Sequence, residues 1–139
     1  MQRLRFFGKL TSLFAFAAVV VLGGCKEPAG TNAQSLVIGS QDVVVKSVQQ
    51  YADPNDAKYV YYVCQLVWTN ADTDMVPRIE RFVLIDHDQD RYPGMASGAV
   101  ALVGITNYQG VVKHAASHDY TIGYHVLVNT VGSIYYDNT

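Results

Sequence analysis

The chain has 139 residues; half are hydrophobic, only 16% are charged, and the formal net charge is −2. One domain fits that length. The composition excludes disorder as the main state, which needs low hydrophobicity and high net charge. The near-neutral balance argues against a nucleic-acid binder.

The chain opens with Arg3, Arg5 and Lys9 and no acid, followed by an uncharged run from Leu10 to Gly24 rich in Leu, Phe, Ala and Val. A basic head before a short apolar run is the layout of a secretory signal. The run is shorter than the ~20 residues of a membrane-spanning helix; the alternative reading is a short transmembrane anchor. Residues 26–35, with Pro28 and Gly30 among small polar residues, read as a flexible tether. The folded domain is expected over 36–139.

Within it, Val, Ile, Thr and Tyr abound, and short apolar runs alternate with turn residues, which predicts strands. Leu36–Ile38 and Val43–Val48 come first, joined by Gly39-Ser40-Gln41-Asp42. Asp53-Pro54-Asn55-Asp56 is a turn. The strand Lys58–Thr69 carries Val60, Tyr62, Cys64, Leu66 and Trp68 on one face, which must be core. Asn70–Asp74 is a loop and Ile79–Ile85 a strand. Asp86–Asp90 turns the chain into Arg91-Tyr92-Pro93. Residues 94–110, with Gly94, Gly98, Gly104 and Gly110, are ambiguous: Ala99–Val103 fits a strand or a helical turn. Gly110–His114 reads as an edge strand. Tyr120–Val128 places Tyr120, Ile122, Tyr124, Val126 and Val128 on one face, and Ser133–Tyr136 ends the domain. Seven or eight short strands predict an all-β, antiparallel β-sandwich. Strands 58–69 and 120–128 are expected at the centres of its two sheets.

Leu22-Gly23-Gly24-Cys25 resembles the lipobox of bacterial lipoproteins, an aliphatic residue and two small residues before a cysteine. The resemblance implies cleavage between Gly24 and Cys25, diacylglyceryl transfer to the Cys25 thiol and usually acylation of the new amino group. The thiol is needed because the thiolate is the nucleophile. Residues 1–24 are then a signal peptide and 25–35 a lipidated cysteine with its tether. Two or three acyl chains make a stable membrane anchor. Lys26 follows the cysteine where inner-membrane retention uses Asp, which implies the outer membrane, with the domain facing the periplasm or the cell surface. Because the leader carries three cations and no acid, the remaining 115 residues have a net charge of −5. That suits neither nucleic acid nor lying flat on anionic lipid.

A second resemblance covers about residues 40–137. Leu66-Val67-Trp68-Thr69-Asn70, then Phe82-Val83-Leu84-Ile85-Asp86 with a turn before Tyr92, then Tyr120–Val126, are similar to immunoglobulin-like domains of bacterial extracytoplasmic lipoproteins, a DUF4352-like group. Ser117-His118-Asp119 stands where that group has proline and glycine. The group implies no single activity.

Candidate chemistry is sparse. Asp86, Asp88 and Asp90 alternate as in a calcium loop, but positions 6 and 12 hold Arg91 and Ser97 rather than Gly and Glu. A solvated hairpin turn is the plainer reading. His114 and His118, with Asp119 beside the latter, have metal spacing for a helix, whereas their surroundings read as strand and loop. Cys64 sits among apolar neighbours as a small core residue rather than a reactive thiol. No nucleophile elbow, phosphate loop or nucleotide fingerprint occurs, so an enzyme is not expected. Apart from covalent lipid, no cofactor is expected. Outward tyrosines such as Tyr59, Tyr61 and Tyr108 fit either cross-strand pairs or an adhesive surface. The expected role is a protein-binding or structural accessory in the cell envelope, with an envelope protein as partner. The alternatives are a periplasmic metal- or ligand-binding module using His114, His118 and the 86–90 turn, or an inhibitor of an envelope-targeting hydrolase.

Overall fold

The computed structural model describes residues 31–96 and 105–139. The leader, Gly24, Cys25, the first tether residues and the ambiguous Ala99–Val103 stretch lie outside the described residues.

The alternation in the longest apolar runs becomes the frame of one sheet. In β4, Tyr59–Thr69, the side chains of Val60, Tyr62, Cys64, Leu66 and Trp68 are all buried. In β7, Ser117–Leu127, Tyr120, Ile122, Tyr124 and Val126 are buried likewise. These two strands pair with each other along their whole length, from Tyr59↔Leu127 to Thr69↔Ser117. They therefore do not centre two different sheets, as the sequence suggested. Alternation reports that one face is buried and carries no record of which sheet buries it.

β3, Val43–Ala52, flanks β4 on its other side, and β1, Thr31–Asn32, pairs with β3. The first sheet runs β1-β3-β4-β7. A register shift between Val45 and Ser47 bulges β3 at Lys46. It explains why Val43 and Val48, five positions apart, both face the core: one extra residue reverses the inward parity. The expected start of the domain at Leu36 comes late, because β1 and the buried Ala33 already belong to the sheet and its core.

The second sheet runs β2-β8-β5-β6, with β2 at Val37–Ile38, β5 at Phe82–Asp86, β6 at Arg91–Tyr92 and β8 at Gly132–Tyr136. Eight strands in two four-stranded sheets form the all-β sandwich anticipated from the sequence. One pair departs from the antiparallel pattern: β2 and β8 run parallel, Val37 opposite Gly132. On its other side Gly132 packs closely on β5, where a Cβ would overlap the Ile85 carbonyl oxygen. Two further segments differ from expectation. Ile79–Arg81 is a 3-10 turn, and β5 begins only at Phe82. The Gly110–His114 stretch makes a single bridge, Val112 with Met75, rather than a strand.

An aromatic cluster joins the sheets. Trp68 meets Phe82 edge-on at 5.6 Å and lies tilted against Tyr136 at 4.7 Å, and Phe82 lies tilted against Tyr120 at 5.2 Å. Aromatic pairs of this kind add about 0.5–1.5 kcal/mol beyond area burial. Buried tyrosines of the first sheet use their hydroxyls across the core. Tyr124 donates to the Phe82 carbonyl at 2.9 Å, and Tyr62 donates to the Thr130 carbonyl at 2.9 Å. The sandwich thus has two ends, one where Thr31 begins the described chain and one where β4 runs out at Asn70.

Candidate functional site

The acidic turn is a self-contained hairpin. The Asp86 Oδ1 accepts the amides of Asp88 and Asp90, both at 2.9 Å, and its Oδ2 accepts the Tyr92 hydroxyl at 3.3 Å. Asp86 therefore acts as the turn's internal cap, an Asx arrangement, and its oxygens face its own backbone. His87 lies 3.8 Å from Asp88 on the solvent side. His114 and His118 look to different neighbours. His114 donates through Nδ1 to the Asp72 carbonyl at 2.9 Å, and its amide donates to Asp74. His118 stacks flat on Tyr108, with ring centroids 4.0 Å apart. Among the described residues, no three His, Cys, Asp or Glu side chains gather in the way a metal ion requires. Cys64 is fully buried, and burial pushes its thiol up to about 12. It is a core residue, as expected.

A cluster that sequence spacing did not reveal lies on the outer face of the first sheet, at the Thr31 end. Tyr51, Tyr61 and His125 form a row across β3, β4 and β7, Tyr51 opposite Tyr61 and Tyr61 opposite His125. The His125 ring lies against Tyr59 at 4.8 Å and Tyr61 at 4.7 Å. Its Nε2 donates to the Asp53 Oδ2 at 2.8 Å. The Asn55 amide and His125 together hold the Asp53 carboxyl below its ordinary range. The partners are 72 positions apart; the side-by-side pairing of β3, β4 and β7 brings the turn carrying Asp53 to His125. What did show in the sequence was Asp53-Pro54-Asn55 as a turn and Tyr59 and Tyr61 as outward residues.

A histidine held by a carboxylate has the form of a general base. No hydroxyl or thiol bonds to His125 among the described residues, and Cys64 faces the opposite side of β4. The pair locks an aromatic surface in place. Leu127, opposite Tyr59, extends that surface to the edge of the sandwich.

The other end is organised by Asn70, which is completely buried. Its Nδ2 donates to the carbonyls of Thr73 and Val112, both at 2.9 Å, and its Oδ1 accepts the Asp72 amide at 2.9 Å. Its backbone bonds Ala115 and Ala116. One side chain thus ties the loop after β4 to the segment before β7. Lys113 pairs with Asp74 across the same junction at 3.3 Å. Beside it, Val76, Pro77, Ile79, Ile105, Asn107 and Tyr108 line a groove of about 460 Å³. Val76, Ile105, Tyr108 and the nearby Val111 are exposed. Asn107 fixes the rim, with its side chain giving and receiving hydrogen bonds to the Thr121 backbone at 2.9 and 2.8 Å. Beneath lies Tyr120, whose buried hydroxyl has no partner among the described residues. Burial first, then Tyr108 and Tyr136, push that hydroxyl up to about 12.

No helix among the described residues is long and apolar enough to cross a membrane. Comparison with family models, curated proteins and solved structures found no match for the chain.

Proposed function

We propose that this chain is a lipid-anchored envelope lipoprotein whose β-sandwich is a protein-binding or structural accessory, without catalytic chemistry of its own. The anchor would be Cys25, released by cleavage after Gly24 and placed in the outer membrane with the domain on the periplasmic side. The uncharged run before Leu22-Gly23-Gly24-Cys25 supports this, as does the similarity of 40–137 to immunoglobulin-like domains of extracytoplasmic lipoproteins.

The observation that carries the binding role is the groove at the Asn70 end. Several large apolar residues stay exposed there around one concavity, on a frame held rigid by a buried asparagine. Exposed apolar surface gathered at one place marks an interaction site more often than scattered single residues do, and tyrosine is enriched in such contacts.

A photocrosslinking residue at Tyr108 in intact cells tests the role. We expect a discrete protein adduct that disappears when Val76→Asp and Val111→Asp are introduced together. An adduct pattern no different from that at Gln65, on the middle of the first sheet, would refute it. For the anchor, Cys25→Ser is expected to leave an uncleaved precursor without lipid. Normal processing and membrane retention of that variant would remove the lipoprotein reading.

A further inference from the structure

We infer that the Thr31 end of the sandwich docks on the surface of the membrane that holds the anchor, with the β7–β8 turn as its contact point; this rests on the lipoprotein reading above. The turn Leu127-Val128-Asn129-Thr130-Val131 carries no charge. Its three large apolar residues are open to solvent, Leu127 at 46%, Val128 at 45% and Val131 at 44%. Tyr59 and Tyr61 stand beside it on the neighbouring strand. Tyrosine favours the boundary between apolar and aqueous layers.

Part of the turn's backbone is already paired within the protein. The Thr130 amide and hydroxyl both donate to the Leu127 carbonyl, and the Thr130 carbonyl receives the Tyr62 hydroxyl. The Val128 amide donates to the Lys58 carbonyl and the Gly132 amide to the Leu36 carbonyl. Backbone groups paired in this way lose little on leaving water. Asn129 supplies the left-handed residue the turn needs, at φ 64°.

Chain length decides which end meets the membrane. Lys26–Gly30 are the only residues between Cys25 and Thr31, a reach of roughly 20 Å at most. Thr31 pairs with Gln50, which is level with Tyr62 and Tyr124. Val128 lies four residues beyond Tyr124, about 13 Å closer to the anchor. Asn70 lies eight residues beyond Tyr62 in the opposite direction, about 26 Å away. The tether is therefore too short for the sandwich to stand on its Asn70 end, and long enough for the β7–β8 turn to touch down. The Asp53–Asp56 turn and the Asp86–Asp90 hairpin, whose Asp86 pairs with Gly132 beside Val131, put acids at this same end, so attraction to anionic lipid is not the driver and the contact is confined to the apolar residues of the β7–β8 turn.

The test uses the full-length protein in bacterial membranes, with a diazirine amino acid at Val128 or Val131, or at Val44 as an exposed site towards the Asn70 end. After illumination, mass spectrometry reads phospholipid adducts. We expect them at 128 and 131 at several times the yield at 44. Equal yields at all three sites, protein adducts at 128 and 131, or no adduct there would overturn the inference. The mass of the Cys25 peptide in the same sample separates the two failures. Without lipid on Cys25 both readings fall, whereas with lipid on Cys25 and no phospholipid at 128 only the docking inference falls.

Discussion

Asn70→Ala should be among the most damaging single polar substitutions. It deletes three hydrogen bonds, two donated to carbonyls and one accepted from an amide. The Val112 carbonyl keeps the Met75 amide at 3.1 Å, so it is not orphaned. The Asp72 amide lies near solvent and can turn to water. At about 1 kcal/mol net per bond, the expected loss is roughly 3 kcal/mol, a large part of a small domain's stability. Asn70→Asp sharpens the test. It keeps the acceptor facing the Asp72 amide but replaces the Nδ2 donor with an oxygen that points at two carbonyls. A carboxylate there is buried against like partial charge, so Asp should cost more than Ala at neutral pH. Protonation restores a donor. The folded-state pKa of that carboxyl is raised above its unfolded value, so the variant should regain stability as the pH falls from neutral towards the ordinary carboxyl range. Urea unfolding followed by the single tryptophan, Trp68, reads both effects. A loss under about 0.5 kcal/mol for Ala, within the range of ordinary surface changes, or an Asp variant no worse than Ala at neutral pH, would refute this account of the loop junction.

Tyr120→Phe and Tyr124→Phe should have opposite signs. The first removes a buried hydroxyl without a partner and should be neutral or stabilising, while the second leaves the Phe82 carbonyl unpaired and should cost about 1–2 kcal/mol; equal losses would show that the Tyr120 hydroxyl is satisfied. Acid should destabilise the fold through Asp53, Asp74 and Asp137, each held below the ordinary carboxyl range, chiefly by the amides of Asn55 and His114 and by the Thr139 hydroxyl respectively. Depressed carboxyls stabilise above their unfolded pKa and lose that contribution as pH falls through their folded values, so Tm should drop below about pH 4, and less steeply in Asp53→Asn; a Tm flat down to about pH 2 would contradict it. Cys64 should resist maleimide in the folded protein and react at once in urea, since its thiol is buried and pushed up to about 12; rapid labelling without denaturant would show that β4 opens.

The strands that read most clearly were β4 and β7, because a buried face leaves a period-two record, although Val128, expected on the buried face of the second, lies past its end in the turn and is exposed. Their mutual pairing left no such record, nor did the parallel contact of β2 with β8, where the Gly132 amide donates to the Leu36 carbonyl. Val111-Val112 looked like a strand because two β-branched residues favour extended backbone, yet only Val112 finds a partner. The site was less legible than the fold. Asp86–Asp90 and His114–His118 drew attention as local patterns, and both resolve into turn and loop contacts. Asn70 was visible only as the end of a strand, although its burial makes it the hub of that end. His125 and Asp53 could be joined only by knowing that β3, β4 and β7 lie side by side, which is tertiary information.

The exposed apolar residues divide between the ends of the sandwich, and this distribution has a physical logic. The middle of the first sheet's outer face pairs polar with polar, as where Ser47 donates to Gln65 at 3.1 Å. Leu127, Val128 and Val131 lie at one end, and Val76, Ile105, Tyr108 and Val111 at the other. Exposed apolar patches at both ends of a freely diffusing domain would favour end-to-end association. Tethering changes that balance. If Cys25 holds the Thr31 end within roughly 20 Å of a bilayer, that end has an apolar neighbour at high local concentration, and only the Asn70 end is left to meet other proteins. The assignment of lipid to one end and a protein partner to the other therefore depends on the five residues of Lys26–Gly30. Lengthening that segment with a Gly/Ser insert should weaken phospholipid crosslinking at Val128, because effective concentration falls as a linker outgrows the span it bridges. The Tyr108 adduct should be retained. Loss of the Tyr108 adduct with retention at Val128 would invert the assignment.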